Sequence, residues 1–158
     1  MKEIINQISN LSEFQEILTK IESTVGVFHL GLSRSVRIPV LTAIHQQEKC
    51  PILLITQKTD RMLLLSEELN QWAPGISRLY FPEPVTLFYE NTAWSEGIRF
   101  DRLTTLSTLA LKKIPGAPHV PSDPIIIAPS RALMIRTIPR RDFIKANREI
   151  FKTIFRTR

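Results

Sequence analysis

The stretch Pro124-Ile125-Ile126-Ile127-Ala128-Pro129 decides the fold class. It is too short for a helix, rich in isoleucine, and continuous rather than alternating. Such runs suit parallel strands covered on both faces. Working outward, two more runs read the same way, Ile52–Ile55 and Val25–Leu30. A weaker fourth strand is expected at Ser77–Phe81, closed by Pro82 and Pro84, which cannot donate to a ladder.

Helical patterns lie between the runs. Leu11, Phe14, Ile17, Leu18 and Ile21 recur at helical spacing, and Ser12 with Gln15 fits a capping box. A second helix is expected from Val36 to about Gln47. Met62, Leu65, Leu69 and Trp72 form an apolar stripe, and Leu103, Leu106 and Ala110 form another on a helix starting after Ser95. The stretch from Lys113 to Pro124 carries five prolines or glycines and reads as a loop back to a strand. Pro139 precedes a final helix from Asp142 to about Phe155. Alternation of this kind predicts an α/β fold, an open and mostly parallel sheet flanked by helices with right-handed crossovers.

Composition bounds the rest. The 158 residues are 43% apolar and 23% charged, which excludes a disordered, collagen-like or coiled-coil chain. No run of about 18 apolar residues predicts a membrane span. The amino terminus lacks the apolar core of a secretory signal. Cys50 is the sole cysteine and can form neither an internal disulfide nor a zinc site by itself. A soluble, cytoplasmic protein is expected. The net charge of +6 is concentrated after residue 130, where nine Lys and Arg stand against Asp142 and Glu149.

In open α/β sheets, ligands bind beyond the carboxyl ends of the strands. The first candidate site is therefore Gly31-Leu32-Ser33-Arg34-Ser35, with Arg37 just beyond. A phosphate loop of the form G-x-x-x-x-G-K-[ST] would need Gly, Lys and Ser or Thr where Val36, Arg37 and Ile38 stand. Valine cannot allow the close backbone approach that glycine allows. Isoleucine cannot bind magnesium. Two readings remain open: a weak anion site using Gly31, Ser33, Arg34, Ser35 and Arg37, or a turn capped by a serine. Efficient ATP hydrolysis is not expected here.

His29, His45 and His119 show no metal-ligand spacing, and no metal site is expected. Ser33, Ser35, Ser130 and Cys50 are nucleophilic residue types, but none lies in a G-x-S-x-G elbow. No catalytic residue is expected. On the last helix, Arg141, Lys145, Arg148, Lys152 and Arg156 share a narrow arc, with Phe143, Ile150, Phe151 and Ile154 opposite. A basic amphipathic helix can meet nucleic-acid phosphates, an acidic partner or a membrane surface, or it can be the solvated outer face of a packed helix.

Taken together, several segments resemble a known family. They are Gly31-Leu-Ser-Arg-Ser, Pro51-Ile-Leu-Leu-Ile-Thr, Ser66-Glu-Glu-Leu with Trp72, and Phe81-Pro-Glu-Pro-Val-Thr-Leu-Phe-Tyr-Glu. Asp101-Arg-Leu-Thr-Thr-Leu, Pro124-Ile-Ile-Ile-Ala-Pro-Ser-Arg-Ala-Leu and Pro139…Asp142-Phe143-Ile144 follow. In order and spacing, over about residues 10–150, they look like the N-terminal UvrB-like region of the bacterial transcription-repair coupling factor (Mfd). The excision nuclease subunit UvrB is the nearest competitor. That family keeps a GTGKT loop and a longer Tyr-rich hairpin, and this chain departs from both.

The resemblance implies a degenerate RecA-like, helicase-like domain of P-loop NTPase type over residues 1–138. Residues 139–158 would begin the following UvrA-binding domain, and the chain would be part of something longer. The whole protein would be an ATP-driven translocase on double-stranded DNA. It would displace stalled RNA polymerase and recruit UvrA. ATP and magnesium would belong to a motor outside this chain, leaving a scaffold without a cofactor of its own and with intramolecular contacts to other domains. The alternatives are a UvrB-like nucleotide-binding domain and a basic nucleic-acid-binding module.

Overall fold

The computed structural model describes residues 1–23, 26, 29–84, 93–112, 121 and 123–146. They divide into two compact units, Met1–Cys50 with Leu63–Ile76, and Pro51–Met62 with Ser77–Arg158.

The second unit holds the sheet. Strands β1 (Ile52–Thr56), β2 (Arg78–Tyr80) and β3 (Ile125–Pro129) are parallel, in the order β1-β3-β2. Ile52 pairs with Ile125 and Thr56 with Pro129, while Arg78 pairs with Ile125 and Tyr80 with Ile127. All five residues of β3 are buried, as a central strand requires. Alternate side chains leave by opposite faces. Ile126 and Ala128 therefore join Leu79, Phe81 and Ala132 in one cluster, with Leu106 packed against it. Three of the expected strands thus form where the apolar runs place them. Of Val25–Leu30, residues 25, 27 and 28 lie outside the described residues. Gly26 is a bend, and His29 and Leu30 carry no strand. Burial of β1 differs from expectation: Leu53 and Ile55 are 48% and 56% exposed. Among the described residues β1 is an edge strand, and the face that carries Leu53 and Ile55 is open, so a continuous apolar run there does not mean cover on both faces.

Helix α5 (Glu96–Leu111) packs on β2. Ser95 caps it, its hydroxyl accepting from the Ile98 amide at 3.5 Å. The expected apolar stripe holds at Leu106 and Ala110 but not at Leu103. Leu103 is 53% exposed, and the inward residues are Arg102, Thr105 and Ala110. The two polar residues turn inward because strand and loop carbonyls need donors there. Thr105 Oγ1 donates to the Tyr80 carbonyl at 2.6 Å, and Arg102 Nη1 donates to the Pro82 carbonyl at 2.9 Å. A short helix α6 (Ser130–Met134) follows β3, and residues 140–146 are helical. The rest of the expected last helix lies outside the described residues, as do residues 113–120 of the proline loop.

The first unit is helical. α1 (Lys2–Ser9), α2 (Ser12–Ser23) and α3 (Arg37–Glu48) gather Ile5, Phe14, Val40 and Ala43 into a core. Ile8, Leu18, Leu32, Ile44 and Trp72 pack against it. α4 (Thr59–Trp72), whose residues up to Met62 belong to the second unit, buries Met62, Leu65 and Leu69, as its stripe predicts. The expected capping box does not form. Ser12 lies inside α2 with its hydroxyl on the Glu13 carboxylate at 3.0 Å, and the Gln15 side chain donates to the Ser9 carbonyl. Hydrogen bonds from the backbone amide of Glu13 and from the Ser12 hydroxyl hold the Glu13 carboxyl below its usual range.

Candidate functional site

The loop before α3 is built by one glycine and one helix start. Gly31 has φ +65°, a left-handed conformation that glycine adopts without a Cβ clash. Its amide donates to His29 Nδ1 at 3.1 Å. Ser33, whose carbonyl accepts from the Val36 amide at 3.2 Å, closes the turn into α3. Pro39 is tolerated two residues past Arg37 because amides of a first turn have no helical acceptor.

This loop does not collect its candidate residues around one space. Arg34 and Ser35 line a cavity of about 510 Å³ with Ile38, Glu68 and Trp72, which puts a carboxylate in the wall. Gly31 and Arg37 line a different one of about 410 Å³, with His29, Leu32, Val40 and Ile44 among its walls. Ser33 and Ser35 approach each other at 3.4 Å between hydroxyls. Arg37 Nε donates back to the Leu32 carbonyl at 3.1 Å, so its guanidinium is partly engaged by its own loop. The serine-capped reading also fails in detail. Val36 is the N-cap of α3, and no side chain caps it.

Of the basic arc, Arg141 and Lys145 are exposed on the helical segment 140–146, while Phe143 and Ile144 are half-buried. Arg148, Lys152 and Arg156 lie outside the described residues. No group of three or more His, Cys, Asp or Glu able to hold a metal occurs among the described residues. His45 is buried, Cys50 is exposed, and Ser130 opens α6.

Two features escaped sequence reasoning. At the carboxyl ends of the strands, Glu83 accepts from Thr59 Oγ1 at 3.5 Å and meets Arg131 Nε at 3.8 Å. These residues are far apart in sequence, and only parallel pairing gathers them. The second is Arg102, 3% exposed and stacked 3.8 Å from the Phe81 ring centroid and 5.1 Å from that of Trp94. Its Nη1 reaches the Pro82 carbonyl at 2.9 Å and the Ala132 carbonyl at 3.4 Å, while its buried Nη2 has no hydrogen-bond partner. Burial pulls this guanidinium below its ordinary pKa. An arginine inside an apparent leucine stripe is the only trace of it in the sequence.

No protein-family profile, curated protein or solved structure matches the chain. Its architecture is α/β, with a small three-stranded parallel open sheet flanked by helices. No helix among the described residues is long and apolar enough to cross a membrane.

Proposed function

We propose that this chain is the N-terminal UvrB-like region of a transcription-repair coupling factor. In this reading it is a degenerate RecA-like, helicase-like domain acting as a cytoplasmic, non-catalytic scaffold in transcription-coupled nucleotide excision repair. The parent protein is an ATP-dependent DNA translocase that displaces stalled RNA polymerase and recruits UvrA through the domain after residue 139. ATP and magnesium belong to that parent's motor.

The observation that carries the non-catalytic part is the dispersal of the Gly31–Arg37 loop. A phosphate cradle needs its amides, cation and hydroxyl turned on one anion. Here the residues divide between two cavities, one of them walled by Glu68. Val36 and Ile38 further deny the loop its second glycine and its magnesium ligand. The parallel α/β sheet and the order of the family-like segments support the assignment.

The test is made in a full-length translocase carrying this region. Arg34→Ala with Arg37→Ala should leave ATP turnover and polymerase displacement within about twofold of the parent, since surface substitutions seldom matter. Loss of turnover of the size caused by disabling a working phosphate loop would overturn the scaffold reading.

A second reading, a basic nucleic-acid module, is favoured by one observation. Arg136, Arg140, Arg141 and Lys145 are all exposed within ten residues. Phosphate contacts would make its affinity fall steeply with salt. Binding to DNA that is insensitive to salt and to Arg141→Glu would remove it.

A further inference from the structure

Arg102 poses a physical problem that the scaffold reading does not answer. A charged guanidinium, 3% exposed, ordinarily has a carboxylate beside it, because desolvation without pairing is costly. Its contacts are two carbonyls and two aromatic rings, and Nη2 is unmet. The charge is held, but among the described residues no carboxylate neutralises it.

Arg102 is in the wall of a cavity of about 270 Å³. The apolar lining is Trp94, Leu103, Leu106, Ile138 and Phe143. Thr137 and the exposed Arg99 and Arg136 complete the described lining, in which no acidic residue occurs. Neither arginine forms an ion pair among the described residues. A second cavity of about 560 Å³ shares Leu106, Thr137, Ile138 and Phe143 with the first and adds Arg140 and Leu109. Sharing these four residues, the two cavities adjoin as a groove along α5 and residues 136–144, within the second unit. Its floor is apolar, and three exposed arginines flank it.

We propose that this groove docks an acidic, apolar segment of a protein partner. A Leu or Phe side chain of that segment fills the smaller cavity, and adjacent Asp or Glu carboxylates pair with Arg99 and Arg136. Arg102 acts from behind the wall. Its Nη2 is sealed from solvent, so its contribution is a positive field little screened by water. Charge complementarity selects the occupant: an apolar hollow with cations at its rim and no acid in its walls fits alternating apolar and acidic side chains. The apolar floor suits Leu or Phe better than a sugar-phosphate backbone. The proposal goes beyond the scaffold reading and stands on these residues whether or not the chain serves repair.

The probe is a fluorescein-labelled peptide alternating Leu or Phe with Asp or Glu, titrated into the full 158-residue chain while anisotropy is read. Saturable binding is expected. Arg99→Glu with Arg136→Glu should weaken it at least about tenfold, because like charges now oppose. Lys20→Glu on α2, which is exposed and remote in sequence, should leave it unchanged. Arg102→Gln should also weaken binding, but that variant disturbs two backbone contacts. The exposed pair therefore decides the matter. The proposal is overturned if no saturation occurs below about 1 mM, or if the peptide with Gln for every acid binds equally well. It also fails if a DNA or RNA oligonucleotide binds more tightly and loses more affinity on the Arg99 and Arg136 reversals.

Discussion

Thr105 and Lys49 are the residues at which local physics is most exposed to test. The Thr105 hydroxyl is 2.6 Å from the Tyr80 carbonyl and the residue is 2% exposed. Thr105→Val keeps the shape and removes the donor, so urea unfolding should show a loss of about 1 kcal/mol. Thr104→Val, one position away and exposed, should change stability by less than about 0.5 kcal/mol. Equal effects would mean that the hydroxyl contributes nothing. Lys49 ends α3 in the left-handed region at φ 46°, where a Cβ is strained. Lys49→Gly should therefore stabilise by about 1 kcal/mol in thermal or urea unfolding. A destabilised variant would contradict the strain. Neither residue stands out in the sequence. Thr105 is a polar gap in an apparent leucine stripe, and a lysine gives no hint of positive φ.

Among the elements, β3 and β1 look alike as apolar runs but differ in what covers them. Ile127 is wholly buried in the central strand, whereas Ile55 on β1 is 56% exposed. Ile127→Ala should cost about 3 kcal/mol and Ile55→Ala less than about 0.5 kcal/mol, read from urea midpoints. Comparable losses would mean that β1 is covered in solution. Strand positions were legible because short β-branched runs bounded by proline have few other conformations. Which strand is central was not, because that depends on pairing across some seventy residues. The α4 stripe was legible since Met62, Leu65 and Leu69 all turn inward, with Ser66 the one polar residue buried beside them. On α5 Leu106 and Ala110 lie inward as expected, but Leu103 does not, because Arg102 and Thr105 turn inward to carbonyls that belong to other elements. α1 was missed altogether; Ile5 and Ile8 are too few to define a helical face before their partners on α3 are known. At acid pH the Glu13 carboxyl adds a small local term. Its folded pKa lies below the unfolded value, so its contribution is present above the unfolded pKa and fades as pH falls through the folded one.

At the scale of the whole molecule, the chain places its functional candidates in two units that differ in chemistry. The first holds the Gly31–Arg37 loop, whose glycine and helix start were visible in the sequence. Its division between two cavities was not, because spacing along a loop does not say which way each side chain faces. The second holds the sheet, the Arg102 groove and the first turns of the basic segment. Arg141 and Lys145 were readable as an arc, while the groove beside them needed α5 and residues 136–144 brought together. In the scaffold reading proposed above, the Gly31–Arg37 loop binds no nucleotide. Calorimetric titration of magnesium and ATP into the 158-residue chain tests it most directly. The account predicts no heat of binding at millimolar nucleotide. Micromolar binding that Arg37→Ala abolishes would contradict it and make the loop a working phosphate site.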